Sequence, residues 1–243
     1  MQRGSQGAAK LSGLDSGGWA FCLTWLRGTI VGFDFMNRLA NFINGWPLFF
    51  LLSGIALAAC MLALGSADEP GVRALVRLSA RFAAAYFIAA FVASSLLSLR
   101  RSAATLWLRR NRRPIGVAFA FAHTIHLAGL GALAIKYPSP FLEHLSLLTV
   151  VGGGLAYLFI YAMAFTSSDA AVRALGPQNW QRLHWWGGWV IWVVFTQTVT
   201  LGALAGEASQ IVPALAFWLA VTIRILGWSR TRRDGKVGRR GAQ

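Results

Sequence analysis

The sequence predicts an all-α, polytopic membrane protein built as a six-helix transmembrane bundle, and three observations carry that reading. Of its 243 residues, 56% are hydrophobic, and the mean hydropathy is +0.54. Six apolar runs come close to the ~20 residues a helix needs to cross a hydrocarbon core of ~30 Å. Only eight carboxylates are present, all outside those runs, a scarcity that a soluble core of this size would not show.

The first span, Trp46–Leu64, is closed by the charged, turn-forming string GSADEPGVR. The second, Ser79–Leu99, stops at RRSAATLWLRRNRRP, whose arginines are costly in hydrocarbon. The third, Ile115–Ile135, follows Pro114 and ends before KYPSPFLEH, and the fourth is Leu147–Phe165, closed by TSSDAAVRALGPQNWQR. The fifth, Leu183–Leu204, meets the string GEASQ, and the sixth is Ile211–Trp228. Lipid offers the backbone no hydrogen-bond partners, so each span is expected to be helical. The earlier stretch WAFCLTWLRGTIVGF, interrupted by Arg27, reads as an interfacial amphipathic segment. Three regions follow: residues 1–45, a cytoplasmic or interfacial N-terminal segment; residues 46–228, the bundle; and residues 229–243, a basic cytoplasmic tail whose Gly-rich composition predicts disorder.

Charge sets the orientation. With the N-terminus inside, eighteen Lys and Arg fall on the cytoplasmic side and four on the other, so six spans leave both termini in the cytoplasm. The net charge of +15 is then an orientation and anionic-lipid signal. The arginine clusters abut spans, which argues against nucleic acid as a partner. Cys22 and Cys60 are too few for a disulfide framework and lack metal-ligand spacing. No cleavable leader is expected, because the first apolar run starts late and no small-residue cleavage pattern follows it.

Two imidazoles, His123 and His126, lie one helical turn apart midway along the third span. His184 opens the fifth span, and His144 precedes the fourth. An ionisable ring in hydrocarbon is a functional candidate, because lipid offers it no partner. Neutral imidazole also serves as an interhelical hydrogen-bond partner, and it is a common axial ligand of haem iron. Small residues on the same spans, among them Gly116, Gly129, Gly187 and Gly188, allow close approach of a flat cofactor or of another helix.

Two strings, RRPIGVAFAFAHTIHL and TSSDAAVRALGPQNWQRLHWWGGWV, resemble the ferric-reductase-like transmembrane domain of the MsrQ/YedZ type, the haem-binding subunit of a periplasmic methionine sulfoxide reductase system. The matching positions in the third span are Arg112, Arg113, Ile115, Gly116, Ile125 and His126. Those in the loop and fifth span are Thr166, Ser167, Asp169, Leu175, Gly176, Trp180, Leu183 and His184. The resemblance covers roughly residues 46–228. It implies a multi-pass protein of the bacterial inner membrane carrying one or two haems b, with His126 and His184 as iron ligands and His123 as a further candidate. Electrons would pass from a cytoplasmic flavoprotein reductase or membrane quinol, hence from a flavin or quinone, to a periplasmic redox partner. No soluble flavin or nicotinamide domain is expected, so the reducing equivalents are expected to come from elsewhere.

The pattern departs at one position: the resemblance implies another histidine thirteen residues after His184, where this chain has Gln197. The third and fifth spans run in the same direction. His126 lies ~18 Å along its helix from Pro114, whereas His184 lies only ~6 Å from Trp180. By depth His126 faces Gln197 more nearly than His184. Three arrangements follow: a haem held by His126 with Gln197 or water opposite, a haem bridging His123 or His126 to His184 across tilted helices, or a chain without haem.

Arg112 and Arg113 match the geometry of haem propionates and also suit positive-inside anchoring. Trp185, Trp189 and Trp192 share one helical face beside His184. They suit a porphyrin wall or an interfacial aromatic belt. Arg224 is expected to snorkel from the last span to the headgroups. GLGALA at Gly129 lies inside a span with no preceding strand, which voids it as a dinucleotide fingerprint. Two rival classes stand beside the electron carrier: a haem-free membrane scaffold or accessory subunit using the histidines structurally, and a small-solute transporter, for which neither matched halves nor acidic coupling sites are visible.

Overall fold

The computed structural model describes residues 43–139 and 146–240, with side chains as far as residue 232. The chain divides after Ile43, and the unit Asn44–Gln243 is considered below. The expected interfacial segment, Cys22 and His144 lie outside the described residues.

Eight helices make up the described chain: α1 (Trp46–Leu64), α2 (Glu69–Leu99), α3 (Ala103–Arg110), α4 (Arg112–Lys136), α5 (Leu147–Phe165), α6 (Asp169–Leu175), α7 (Pro177–Leu204) and α8 (Ala208–Arg240). Six of them are long and apolar enough to cross a membrane. The fold is an all-α bundle, as the sequence predicts, and α1 and α5 have the bounds read from it.

Elsewhere the helices outrun their apolar cores, for local reasons. Helix α2 begins ten residues before Ser79 because Asp68 caps it, accepting from the Gly71 backbone N–H at 2.9 Å. Pro70 stands in its first turn, and Glu69 pairs with Arg73 one turn on at 2.7 Å. Helix α7 begins at Pro177, which follows Gly176 with φ 76°, a left-handed backbone that favours glycine. The loops α3 and α6 are short helices capped by Ser102 and Ser168. Helix α8 continues past Trp228 to Arg240, through the tail whose composition predicts disorder.

Helix α2 packs against α1, α4 and α8, and α7 packs against α5 and α8. Where they meet, Phe87 lies against Phe91, Phe119, Phe195 and Phe217 with ring centroids 5.2 to 6.0 Å apart. Such ring pairs add ~0.5–1.5 kcal/mol each beyond area burial. Polar groups are paired across the helices: the Tyr86 hydroxyl donates to the Leu52 carbonyl at 2.9 Å, and the Trp192 indole donates to the Phe217 carbonyl at 3.0 Å. Asn111, 1% exposed, accepts from the Gly45 backbone N–H at 2.9 Å and donates to the Trp107 carbonyl at 3.0 Å. It ties the α3–α4 corner to the start of α1. On the outer faces large apolar residues are bare, with Leu62 and Ile135 84% exposed and Phe165 81%. Contiguous apolar surface of this kind suits acyl chains and not water.

The backbones of α8 and α2 meet at Gly227, where an added Cβ would come within 2.6 Å of the Ser95 Cβ and 2.8 Å of its Cα. Small residues permit such approaches in membranes. Gly227→Ala is expected to lower stability by about 1–3 kcal/mol through overpacking, measured by thermal unfolding in detergent. Gly153→Ala, whose Cβ meets nothing within 4 Å, is expected to cause no loss.

Candidate functional site

Helical spacing brings His123 and His126 to one face of α4, with ring centroids 5.0 Å apart. The His126 Nδ1 lies 3.0 Å from the Val76 carbonyl of α2. A carbonyl only accepts, so Nδ1 carries the proton and Nε2 keeps the lone pair. His126 is therefore a cross-link between α4 and α2. His123, 7% exposed, is packed among Tyr157, Phe195 and Phe119 at centroid distances of 4.7, 5.2 and 5.8 Å. Its Nδ1 has no hydrogen-bond partner among the described residues. Aromatic rings thus cover His123 on these sides. Gln197 is half-buried on α7, and among the described residues no hydrogen bond joins it to His126.

His184 occupies a different place. A cavity of about 330 Å³ lies between α2, α3, α4, α5 and α7, lined by His184 together with Arg109, Arg110, Arg112 and Arg113. The His184 ring lies on Trp180 with centroids 4.1 Å apart, and its Nε2 is 3.3 Å from the Thr166 hydroxyl. That hydroxyl donates its one proton to the Ala162 carbonyl at 2.6 Å. The His184 Nε2 is thus the donor, and Nδ1 keeps the lone pair. The Trp180 indole in turn donates to the Thr166 carbonyl at 2.8 Å. Through these bonds the α5–α6 loop and the first turns of α7 fix the ring's orientation. Phe87, Phe91 and Phe119 give the cavity an apolar wall.

The arginines around the cavity differ in their partners. The Arg112 Nε donates to the Ala90 carbonyl at 3.0 Å. Arg113 donates to Asp169 at 2.5 Å. Arg224 turns inward from α8 instead of reaching for headgroups: it donates to the Phe91 carbonyl at 2.8 Å, and its guanidinium stands 4.1 Å from the Phe91 ring centroid. Trp189 meets Phe91 edge-on at 5.7 Å and Trp192 at 5.7 Å, so the predicted tryptophan face backs the aromatic core. Trp185, 49% exposed, ends it at the surface.

Of the residues predicted from sequence, the structure gathers His184, Arg112 and Arg113 around one space and leaves His123 and His126 outside that lining. Arg109 and Arg110 were missed as site residues, and Arg224, expected to snorkel, turns to Phe91 instead. The arginine-rich string before Pro114 was the available signal for the first two. The donor set fits a haem one histidine at a time: the imidazole lone pair suits iron, guanidiniums suit propionates, and the phenyl wall suits a porphyrin face. Among the described residues, the cavity that His184 lines does not include His126.

Comparison with protein-family models, with curated proteins and with solved structures gives no match.

The Arg113 hydrogen bond and charge hold the exposed Asp169 carboxyl below the ordinary carboxylate range, with a smaller contribution from Arg173. A depressed folded value means the pair favours the folded state above the unfolded value of ~3.9, and that this contribution is lost as pH falls through the folded value. A side-chain carboxyl titration by NMR is expected to give Asp169 a midpoint below that of a model aspartate. In Arg113→Gln the midpoint is expected to move up.

Proposed function

We propose that the chain is an integral-membrane b-type haem protein of the bacterial inner membrane, with both termini cytoplasmic. In this reading it relays electrons from a cytoplasmic flavoprotein reductase or membrane quinol to an acceptor on the outer side. The observation that carries this reading is the cavity lined by one oriented imidazole, four arginines and three phenylalanines. Six long apolar helices and the Lys/Arg asymmetry support the membrane setting and its orientation. The resemblance to methionine sulfoxide repair systems makes a periplasmic reductase the proposed partner.

A bound haem would supply the one-electron couple of its iron. The chain's residues do the remainder. His184 presents its Nδ1 lone pair, because its Nε2–H donates to the Thr166 hydroxyl and Trp180 fixes the ring plane, the outer-sphere support usual for a ligating imidazole. Arg112, with Arg109 and Arg110 beside it, offers paired N–H groups to carboxylates. Phe87, Phe91 and Phe119 exclude water from that face.

Two observations favour the haem-free scaffold for part of the molecule. His126 already has a structural partner in the Val76 carbonyl, and His123 is closed in by rings. Interhelical bonds of that type are worth ~0.6–2 kcal/mol.

Oxidised and dithionite-reduced visible spectra of the purified protein, with haem counted per chain, test the proposal. Wild type is expected to show a b-type spectrum, which is lost or shifted in His184→Ala. His126→Ala is expected to keep the spectrum and to unfold at lower temperature. A colourless wild type, even with haem supplied during expression, overturns the proposal in favour of the scaffold.

A further inference from the structure

Arg112 and Arg224 come from different helices yet donate to consecutive carbonyls of α2, those of Ala90 and Phe91. Two like charges are therefore drawn together against the aromatic core, where water cannot screen them well. Among the described residues neither forms an ion pair: Glu69 is taken by Arg73 and Asp169 by Arg113. A guanidinium away from water is expensive without a counter-charge. Both are nevertheless held firmly, by short bonds to backbone and, for Arg224, by the face of Phe91. Arg112 uses its Nε on the backbone, its two terminal NH₂ groups have no hydrogen-bond partner among the described residues, and it lines the cavity.

The geometry points to an oxyanion site in this cavity: we infer that Arg112 grips the carboxylate or phosphate of an amphiphile whose apolar body lies along Phe87, Phe91 and Phe119. Arg224, behind Phe91, is a positioning residue that adds fixed positive charge to the site. Arg113 is engaged with Asp169 at the exposed side, so the inner guanidinium is the one open to a ligand. The inference uses the cavity of the haem reading without its iron. A porphyrin dicarboxylate and an anionic phospholipid both carry the required chemistry.

The test is direct binding to the purified, delipidated full chain. The probes are haemin and its dimethyl ester, short-chain phosphatidic acid and phosphatidylcholine of equal chain length, and inorganic phosphate. The variants are Arg112→Gln and the steric variant Gly116→Leu. Gly116 lines the cavity, and a Cβ there meets nothing within 4 Å, so the larger side chain fills the space with every arginine intact. Arg101→Gln, an exposed arginine outside the cavity lining, is the control. At least one acid amphiphile is expected to bind about tenfold or more tighter than its uncharged or zwitterionic counterpart. That preference is expected to vanish in Arg112→Gln and Gly116→Leu and to persist in Arg101→Gln. A preference for haemin assigns the oxyanion to a carboxylate, and one for phosphatidic acid assigns it to a phosphate. Phosphatidic acid binding without haemin binding sinks the haem reading and leaves this inference standing. Equal binding of acid and ester forms, binding of inorganic phosphate as tightly as of the amphiphiles, or insensitivity to Gly116→Leu overturns it.

Discussion

Everything in this molecule follows from one constraint: inside hydrocarbon a polar group finds its partner within the protein or pays the cost of having none. The backbone answers by coiling into six long helices. Side chains answer one at a time, Tyr86 on the Leu52 carbonyl, Trp192 on that of Phe217 and His126 on that of Val76. Each bond also names two helices that must lie together, so polar satisfaction and packing specify the same arrangement.

The guanidiniums at the α3–α4 end of the bundle answer the constraint least completely. Arg112 and Arg224 satisfy one donor group each on the α2 backbone, but no carboxylate balances their charge among the described residues. His184 completes the setting, since its protonated nitrogen faces Thr166 and its lone pair is left over. A space bordered by unbalanced positive charge, an available lone pair and phenyl faces is complementary to an acidic, flat or elongated apolar molecule that can bind a ligand on iron. Haem joins those properties in one body, and an anionic lipid has all but the last. The functional proposal and the oxyanion inference are two depths of the same complementarity.

Much of the fold was legible because the hydrophobic run is a direct imprint of bilayer thickness: α1 and α5 have the bounds that composition alone suggests. Helix starts such as Glu69 and Pro177 were not, because they depend on caps and on prolines that hydropathy does not weigh. Depth along a helix could be read from spacing, and it separates His126 from His184. What spacing does not supply is rotation about the axis. That decides that His126 turns to α2 while His184 turns into the cavity, and that Arg224 reaches inward to Phe91 instead of outward to headgroups. The intramembrane histidine pair drew attention for its rarity, whereas the cavity owes more to arginines that resemble ordinary cytoplasmic anchoring.

The most direct measurement is an anomalous difference map at the iron absorption edge from crystals of protein purified from haem-supplemented cells. One strong peak is expected within bonding distance of the His184 imidazole, with acid groups of the surrounding density turned to Arg112. A peak beside His126, or none near His184 in crystals of haem-supplemented protein, contradicts the haem proposal.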